Sequence, residues 1–296
     1  MKRFPSRLQA EFYLLGVAFV WGTTFILVKG ALGFIGPYTF LGLRFILAAV
    51  FLALVSYRHL AEITWGEIKA GAILGLFLTL GFVFQTVGLQ YTSASNAGFI
   101  TGLSVVIVPF IISIYTIRLP SWPTMVGILS AAAGLFLLSV TSAARISYGD
   151  LLVLAGAFGF ACHIVMVDRY STRHPAVNLA TVQILAVGLI SAAIAATREP
   201  WPPLINAPVL EALVVTVVFA TALAFLVQNA VQRYTTPTRT AIILITEPVF
   251  AAAFAHLWAG EILTTRAMLG CVLIVGGMLL TELDFARIKV PRFRQT

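Results

Sequence analysis

Ten apolar runs dominate this chain, at about 11–30, 38–57, 68–90, 95–116, 122–141, 150–168, 177–197, 208–232, 238–258 and 266–284. Each is near the length that carries a helix across a bilayer. Between them stand residues that cannot continue a helix: Gly36-Pro37, Pro120 with Pro123, Pro175, Pro200-Trp201-Pro202-Pro203 and Pro237. Connections of a few residues force neighbouring spans to run antiparallel. The expected fold is therefore an all-α integral membrane bundle of ten transmembrane helices. Of 296 residues 60% are hydrophobic and 10% are charged, which excludes an ordinary soluble enzyme. The apolar run after the basic segment Met1 to Ala10 is too long for a signal-peptide core and has no small-residue cleavage site, so it reads as a retained first span. Cys162 and Cys271 each lie within an apolar run, which argues against a disulfide framework or a thiolate metal site.

The net charge of +8 would suggest a nucleic-acid partner in a soluble protein, but here its distribution has another meaning. With the N-terminus inside, fourteen of the 19 Lys and Arg fall on the inner side, and Lys29, Arg145, Arg198 and Arg266 fall outside. Arg44 lies within the second span. Short cytoplasmic loops collect Lys and Arg, so both termini are expected to be cytoplasmic. The basic surplus is then an orientation signal and a contact for the lipid bilayer, with no nucleic-acid partner.

The chain also matches itself. Phe19-Val20-Trp21-Gly22-Thr23 pairs with Phe158-Gly159-Phe160-Ala161-Cys162 at an offset of 139. From the third span onward the offset is 143: Phe82 with Phe225, Gln85 with Gln228, Tyr91-Thr92 with Tyr234-Thr235, Gly127 with Gly270 and Gly134 with Gly277. Individually weak, these matches keep span order and together argue for duplication. Residues 1–146 would form a first five-span repeat, and 147–296 a second one with a cytoplasmic basic tail. Five is odd, so the second copy enters the membrane from the opposite side. The two inverted five-helix repeats are then related by a pseudo-two-fold axis in the membrane plane, an architecture suited to alternating access. The plainer alternative is a duplication that merely builds a stable bundle.

Several motifs resemble the drug/metabolite transporter superfamily, specifically its EamA family. They are Trp21-Gly22-Thr23, Leu43-Arg44-Phe45, Gly88-Leu89-Gln90-Tyr91-Thr92-Ser93-Ala94, Glu247-Pro248, and Gly260-Glu261 followed by Gly270 and Gly276-Gly277. The resemblance covers essentially the whole chain. It implies ten spans in two repeats, amino acids and related metabolites as the commonest substrates, and export as the usual direction; YddG-like amino-acid exporters are one type within it. One departure separates the copies: Pro109 lies one helical turn further beyond Tyr91 than Pro248 lies beyond Tyr234. The two proline kinks are thus expected at unequal depths.

Ionisable and polar residues at membrane depth are the candidate site, because a bilayer offers them no water. Glu247 stands near the midplane, and Pro248 beside it removes a backbone donor and frees a carbonyl. Its alternative role is to hold Arg44. Arg44 could take a substrate carboxylate bidentately, but pinning helices near a water-reachable outer interface is the preferred reading. His163 could carry a proton, bond a substrate or cap a neighbour in the core. Gln85 and Gln228, repeat-related, suit a neutral or zwitterionic solute and equally well glue helices. Trp21 could wall the cavity or face an ammonium group, and Thr24, Thr101 and Ser104 could supply hydroxyls. Pro109 and Pro248, with Arg44, are assigned structural or gating roles. The glycines, such as Gly71 with Gly75 and Gly276 with Gly277, are expected to let helices approach.

Zinc-protease, phosphate-loop, nucleophile-elbow and metal-spaced Cys/His patterns are missing from the sequence. Asp150 lacks a partner aspartate at depth and reads as a helix N-terminal acid. No enzyme activity, metal or cofactor is expected. The expected function is a monomeric secondary transporter of a small-molecule substrate, most simply an amino-acid exporter of a bacterial inner membrane. Proton coupling would fall to Glu247 or His163, and facilitated diffusion is equally compatible. A multidrug or other metabolite carrier of the same fold, and a channel or membrane sensor, are the alternatives.

Overall fold

The structure is a computed structural model that describes residues 6–117, 119–139, 147–200, 205–259 and 264–285. Among them there is no strand. The helices of the first half are α1 (Arg7–Gly22), α2 (Thr24–Ala31), α3 (Pro37–Val55), α4 (Tyr57–Leu60), α5 (Trp65–Gly88), α6 (Ala94–Gly102), α7 (Ser104–Thr116) and α8 (Trp122–Ser139). Those of the second are α9 (Tyr148–Ser171), α10 (Ala176–Arg198), α11 (Ala207–Val217), α12 (Ala224–Val231), α13 (Pro237–Leu244), α14 (Glu247–Ala259) and α15 (Thr265–Phe285). A π-helical segment, Val218–Leu223, joins α11 to α12.

Seven stretches are long and apolar enough to cross a membrane: Arg7–Ala31, Pro37–Val55, Trp65–Gly88, Asn96–Thr116, Tyr148–Ser171, Ala176–Arg198 and Ala207–Tyr234. Shorter apolar helices, Trp122–Leu137 and Thr265–Thr281, stand at the fifth and tenth expected spans, and the ninth is divided between α13 and α14. The chain is a multi-pass membrane protein. Gly260-Glu261, the residues 201–203 of the proline-rich break, the loop cations Lys2, Arg3, Arg118 and Arg145, and the basic tail lie outside the described residues.

Helix starts follow from local chemistry. Ser6 with Gln9, Thr64 with Glu67, and Ser147 with Asp150 form reciprocal capping boxes that satisfy the first amides of α1, α5 and α9. Asp150 is thus the helix N-terminal acid expected of it, and its carboxylate also accepts the Thr92 hydroxyl at 2.6 Å. The Glu199 carboxylate, beyond the end of α10, accepts the Tyr38 and Thr39 amides at 2.9 and 2.7 Å, neutralising the positive end of α3. A side chain at Gly36 would collide with that carboxylate.

Close helix contacts set the packing. α8 lies against α15 with Gly127 facing Gly277 and Gly134 facing Gly270, where an added Cβ would come within 2.5–2.7 Å of the opposing carbonyl. Between these contacts the Ser130 hydroxyl donates to the carbonyl of Leu273 at 3.0 Å, and these two residues are themselves related by the repeat offset. The contacts run antiparallel and cross the repeat-matched glycines over. α5 lies against α9 through Gly81 with Gly156 and Gly159, and Gly88 with Gly149. Gly71 and Gly75 admit Val182 and Ala186 of α10, each 2.6 Å from where a Cβ would sit. Gly276 does not share that role, since nothing lies within 4 Å of its missing Cβ, whereas Gly277 does. One buried cluster around Phe45, Phe82 and Phe225 and another around Val17, Ala161 and Ala224 meet at Trp21, in the middle of the bundle.

Candidate functional site

Three helices break beside one another. α1 gives way to α2 at Thr23, α6 to α7 at Leu103, and α13 to α14 at Ile245 and Thr246. At each break an amide bonds three residues back instead of four: Thr23 to Val20, Leu103 to Ile100 and Thr246 to Ile243, at 3.1–3.3 Å. Such tight turns leave carbonyls short of donors, and hydroxyls supply some of them. Thr23 donates to Val20 O, Thr24 to Trp21 O and Thr246 to Ile243 O, all at 2.7–2.8 Å. Pro248 accounts for the third break, because its nitrogen cannot bond back to the preceding turn. It also leaves Glu247 on the first turn of α14. Pro109 does not act in that way. It is buried inside α7, well past the break at Leu103, and does not line the cavity described next. The breaks at Leu103 and Thr246 are related by the internal offset of the repeat, which the two prolines violate.

A cavity of about 100 Å³ lies at these breaks. All seven residues expected to touch a substrate line it: Trp21, Thr24, Gln85, Ser104, His163, Gln228 and Glu247. Arg44, Pro248 and Thr101 line it as well, and Phe25, Phe82, Phe160 and Phe225 belong to its apolar wall. Those four phenylalanines were not legible as a site, because one apolar aromatic among many carries no signal of where it points.

Arg44 is not water-reachable near an interface, as the sequence suggested; it is 4% exposed. Its Nε donates to Thr221 Oγ1 at 2.7 Å and its Nη2 to the Ala220 carbonyl at 3.4 Å. The rings of Phe45 and Phe82 lie 5.2 and 5.0 Å from its guanidinium carbon. Both hydrogen-bond acceptors belong to the π-helical segment, whose wide turn presents the Ala220 carbonyl sideways. The Trp21 indole donates to the same carbonyl at 2.8 Å, and the ring packs 5.5 Å from Phe225. Nothing in the sequence marks this π segment.

Glu247 does not hold Arg44: no ion pair joins them among the described residues, and no hydrogen-bond partner engages the Glu247 carboxylate there. His163 is 2% exposed, donates from Nε2 to Gln183 Oε1 at 2.7 Å and packs edge-on against Phe225. Its partner is an amide rather than the hydroxyl considered from the sequence. Gln85 donates to Thr101 Oγ1 at 2.8 Å. Gln228 donates to Gln232 at 3.1 Å, and Gln232 passes the chain on to the Ile164 carbonyl at 2.6 Å. The Gln228 Oε1 is buried without a partner.

Apolar helices that interrupt themselves around a small cavity carrying a few polar groups define a class of membrane proteins in which a solute can be held away from both aqueous faces. Similarity makes the class specific. The model of the EamA-like transporter family matches residues 8–140 and again 147–283, and the chain belongs to that family. An uncharacterized transporter of Archaeoglobus fulgidus is 36% identical over 94% of this chain and 87% of its own length. An S-adenosylmethionine/S-adenosylhomocysteine transporter of Chlamydia trachomatis serovar L2 is 24% identical over 86% of this chain and 83% of its own. A crystal structure at 19% identity, covering 96% of this chain and all of its own, gives a TM-score of 0.80, a likeness of fold.

Proposed function

We infer that this member of the EamA-like family is a secondary transporter that moves small amino-acid-like metabolites out of the cell by alternating access. The observation that carries the reading is the cavity itself: two opposite charges, Arg44 and Glu247, and the rings of Trp21 and four phenylalanines close on one space where three helices break. The two family matches of similar length, the repeat-related pair of breaks and the crossed glycine contacts of α8 and α15 support ten spans in two inverted halves. Rocking of those halves would expose the cavity to each face in turn. The substrates named for the chlamydial relative both bear an α-amino-acid head group, which favours that class here. The reading places both termini in the cytoplasm of a bacterial inner membrane and needs one chain only, since a single bundle encloses its own pathway.

Exchange in liposomes tests it. Purified protein is reconstituted with one unlabelled amino acid inside at a time, and uptake of the same labelled amino acid is followed. Transient accumulation above the equilibrium level for some of them is expected of a carrier. A folded, inserted protein that lets solutes equilibrate without stimulation from the far side would be a channel, one that exchanges only other metabolites or drugs would be a carrier of another class, and one that moves none of these would be a sensor.

A further inference from the structure

The two charges of the cavity are held apart by construction. Arg44 commits Nε and Nη2 to the π segment and rests against the paired rings of Phe45 and Phe82, while Glu247 rides on the first turn of α14. Each lines the same small space, and neither meets an opposite charge among the described residues. A charge without a counter-charge is costly in a low-dielectric interior, and each of these two lacks one. A guanidinium has five N–H donors, so Arg44 keeps donors free after its two fixed bonds. Glu247, on a different helix, brings a carboxylate to the same space.

Building on the transporter reading, we propose that Arg44 and Glu247 form a split recognition pair for a zwitterion, Arg44 taking the carboxylate and Glu247 the ammonium, while the phenylalanines receive an apolar side chain. A solute with both ends supplies both missing counter-charges at once. A solute with one end leaves the other charge alone, so discrimination against half-molecules is built into the site. This gives Arg44 a ligand-contacting role in place of the purely helix-pinning one.

The experiment measures binding, separately from transport, by the thermal midpoint of the detergent-purified protein. Three sets are titrated: alanine, leucine and phenylalanine, each with its decarboxylated amine (ethylamine, 3-methylbutylamine, phenethylamine) and its deaminated acid (propionate, 4-methylpentanoate, 3-phenylpropionate). At least one amino acid should bind tenfold or more tightly than both of its half-molecules. Arg44→Met should erase the preference over the amine, and Glu247→Gln the preference over the acid. Thr221→Val, which loosens Arg44 without removing its charge, should weaken the first preference only. Failure of all three amino acids to bind, or the lack of a tenfold preference over both half-molecules in every one of the three sets, overturns the proposal on the unmodified protein alone. If liposomes still exchange some other solute, the transporter reading survives that outcome; if a folded protein exchanges nothing, the transporter reading falls as well.

Discussion

At the scale of single residues, His163 shows how far a sequence reading can go. An ionisable side chain in a bilayer span invites a functional assignment, and substrate contact and core satisfaction could not be separated from the sequence. The structure supplies the partner, Gln183, which is fully buried and whose amide nitrogen already lacks an acceptor. His163→Leu would leave the Gln183 oxygen unpaired too, and burying an unsatisfied polar group costs about 1–3 kcal/mol. A lowered unfolding midpoint in detergent is expected, with no loss for His163→Gln beyond about 1 kcal/mol if an amide there re-forms the bond. Equal stability of His163→Leu and the parent would show that the bond contributes nothing. Transport by the Gln variant then separates the roles: altered substrate preference marks contact with the solute, and a loss that only tracks folded protein marks packing.

At the scale of elements, the breaks are the feature that matters, and Gly22 is where two of them touch. A Cβ there would lie 2.5 Å from the Glu247 carbonyl and 3.1 Å from the Ala251 nitrogen. Backbone cannot swing aside as a side chain can, so Gly22→Ala must push α1 away from α14. Overpacking of this kind costs about 1–3 kcal/mol. Gly16→Ala, with nothing within 4 Å, should cost none. Comparing the two midpoints and exchange rates checks this, and equal behaviour would mean the α1–α14 approach is not needed. The sequence showed where spans begin and end, because prolines, capping boxes and charges act locally. It placed one break well, at Glu247-Pro248, since proline forces it. The kink it expected at Pro109 falls inside α7, which continues through that proline, and the breaks at Thr23 and Leu103 and the π segment were missed. The π segment holds where neighbouring helices supply donors to its freed carbonyl, as the Trp21 indole and Arg44 do for Ala220, and no local code carries that information. The site residues were legible for a simpler reason: polar groups at membrane depth are few, and they gather.

At the scale of the whole molecule, alternating access asks the two ends of the bundle to close in turn, so the contacts at each end decide the resting state. At the end where α1 begins, Glu11 and Arg239 are 6% and 1% exposed and 2.7 Å apart. Thr235 donates to the same carboxylate oxygen at 3.1 Å. At the opposite end, Asp150, the counterpart of Glu11 by the first offset of the repeat, accepts from Thr92, the counterpart of Thr235 by the later one. By that later offset the counterpart of Arg239 is Asn96, which cannot form an ion pair. Exposed Lys29 donates to the Thr92 carbonyl there instead, at 2.7 Å. Both ends share an acid–threonine contact, and only one adds a buried charge pair. Removing one partner of a buried pair costs about 3–5 kcal/mol in the shut state, whereas an exposed lysine contact contributes about 1 kcal/mol or less. The end bearing Glu11 therefore needs both partners to stay shut, and the other end has no such requirement. Glu11→Gln keeps the size and removes the charge, so it should shift the carrier toward opening at that end. With Cys162 and Cys271 replaced by serine, a single reporter Leu14→Cys, buried near Ile243 and Val231, reads the change. Labelling by a membrane-impermeant maleimide from the N-terminal side should quicken at least tenfold, the equivalent of about 1.4 kcal/mol. An unchanged labelling rate would show that this ion pair does not hold the end shut, and Asn96→Arg, expected to slow opening at the other end, would then have no basis.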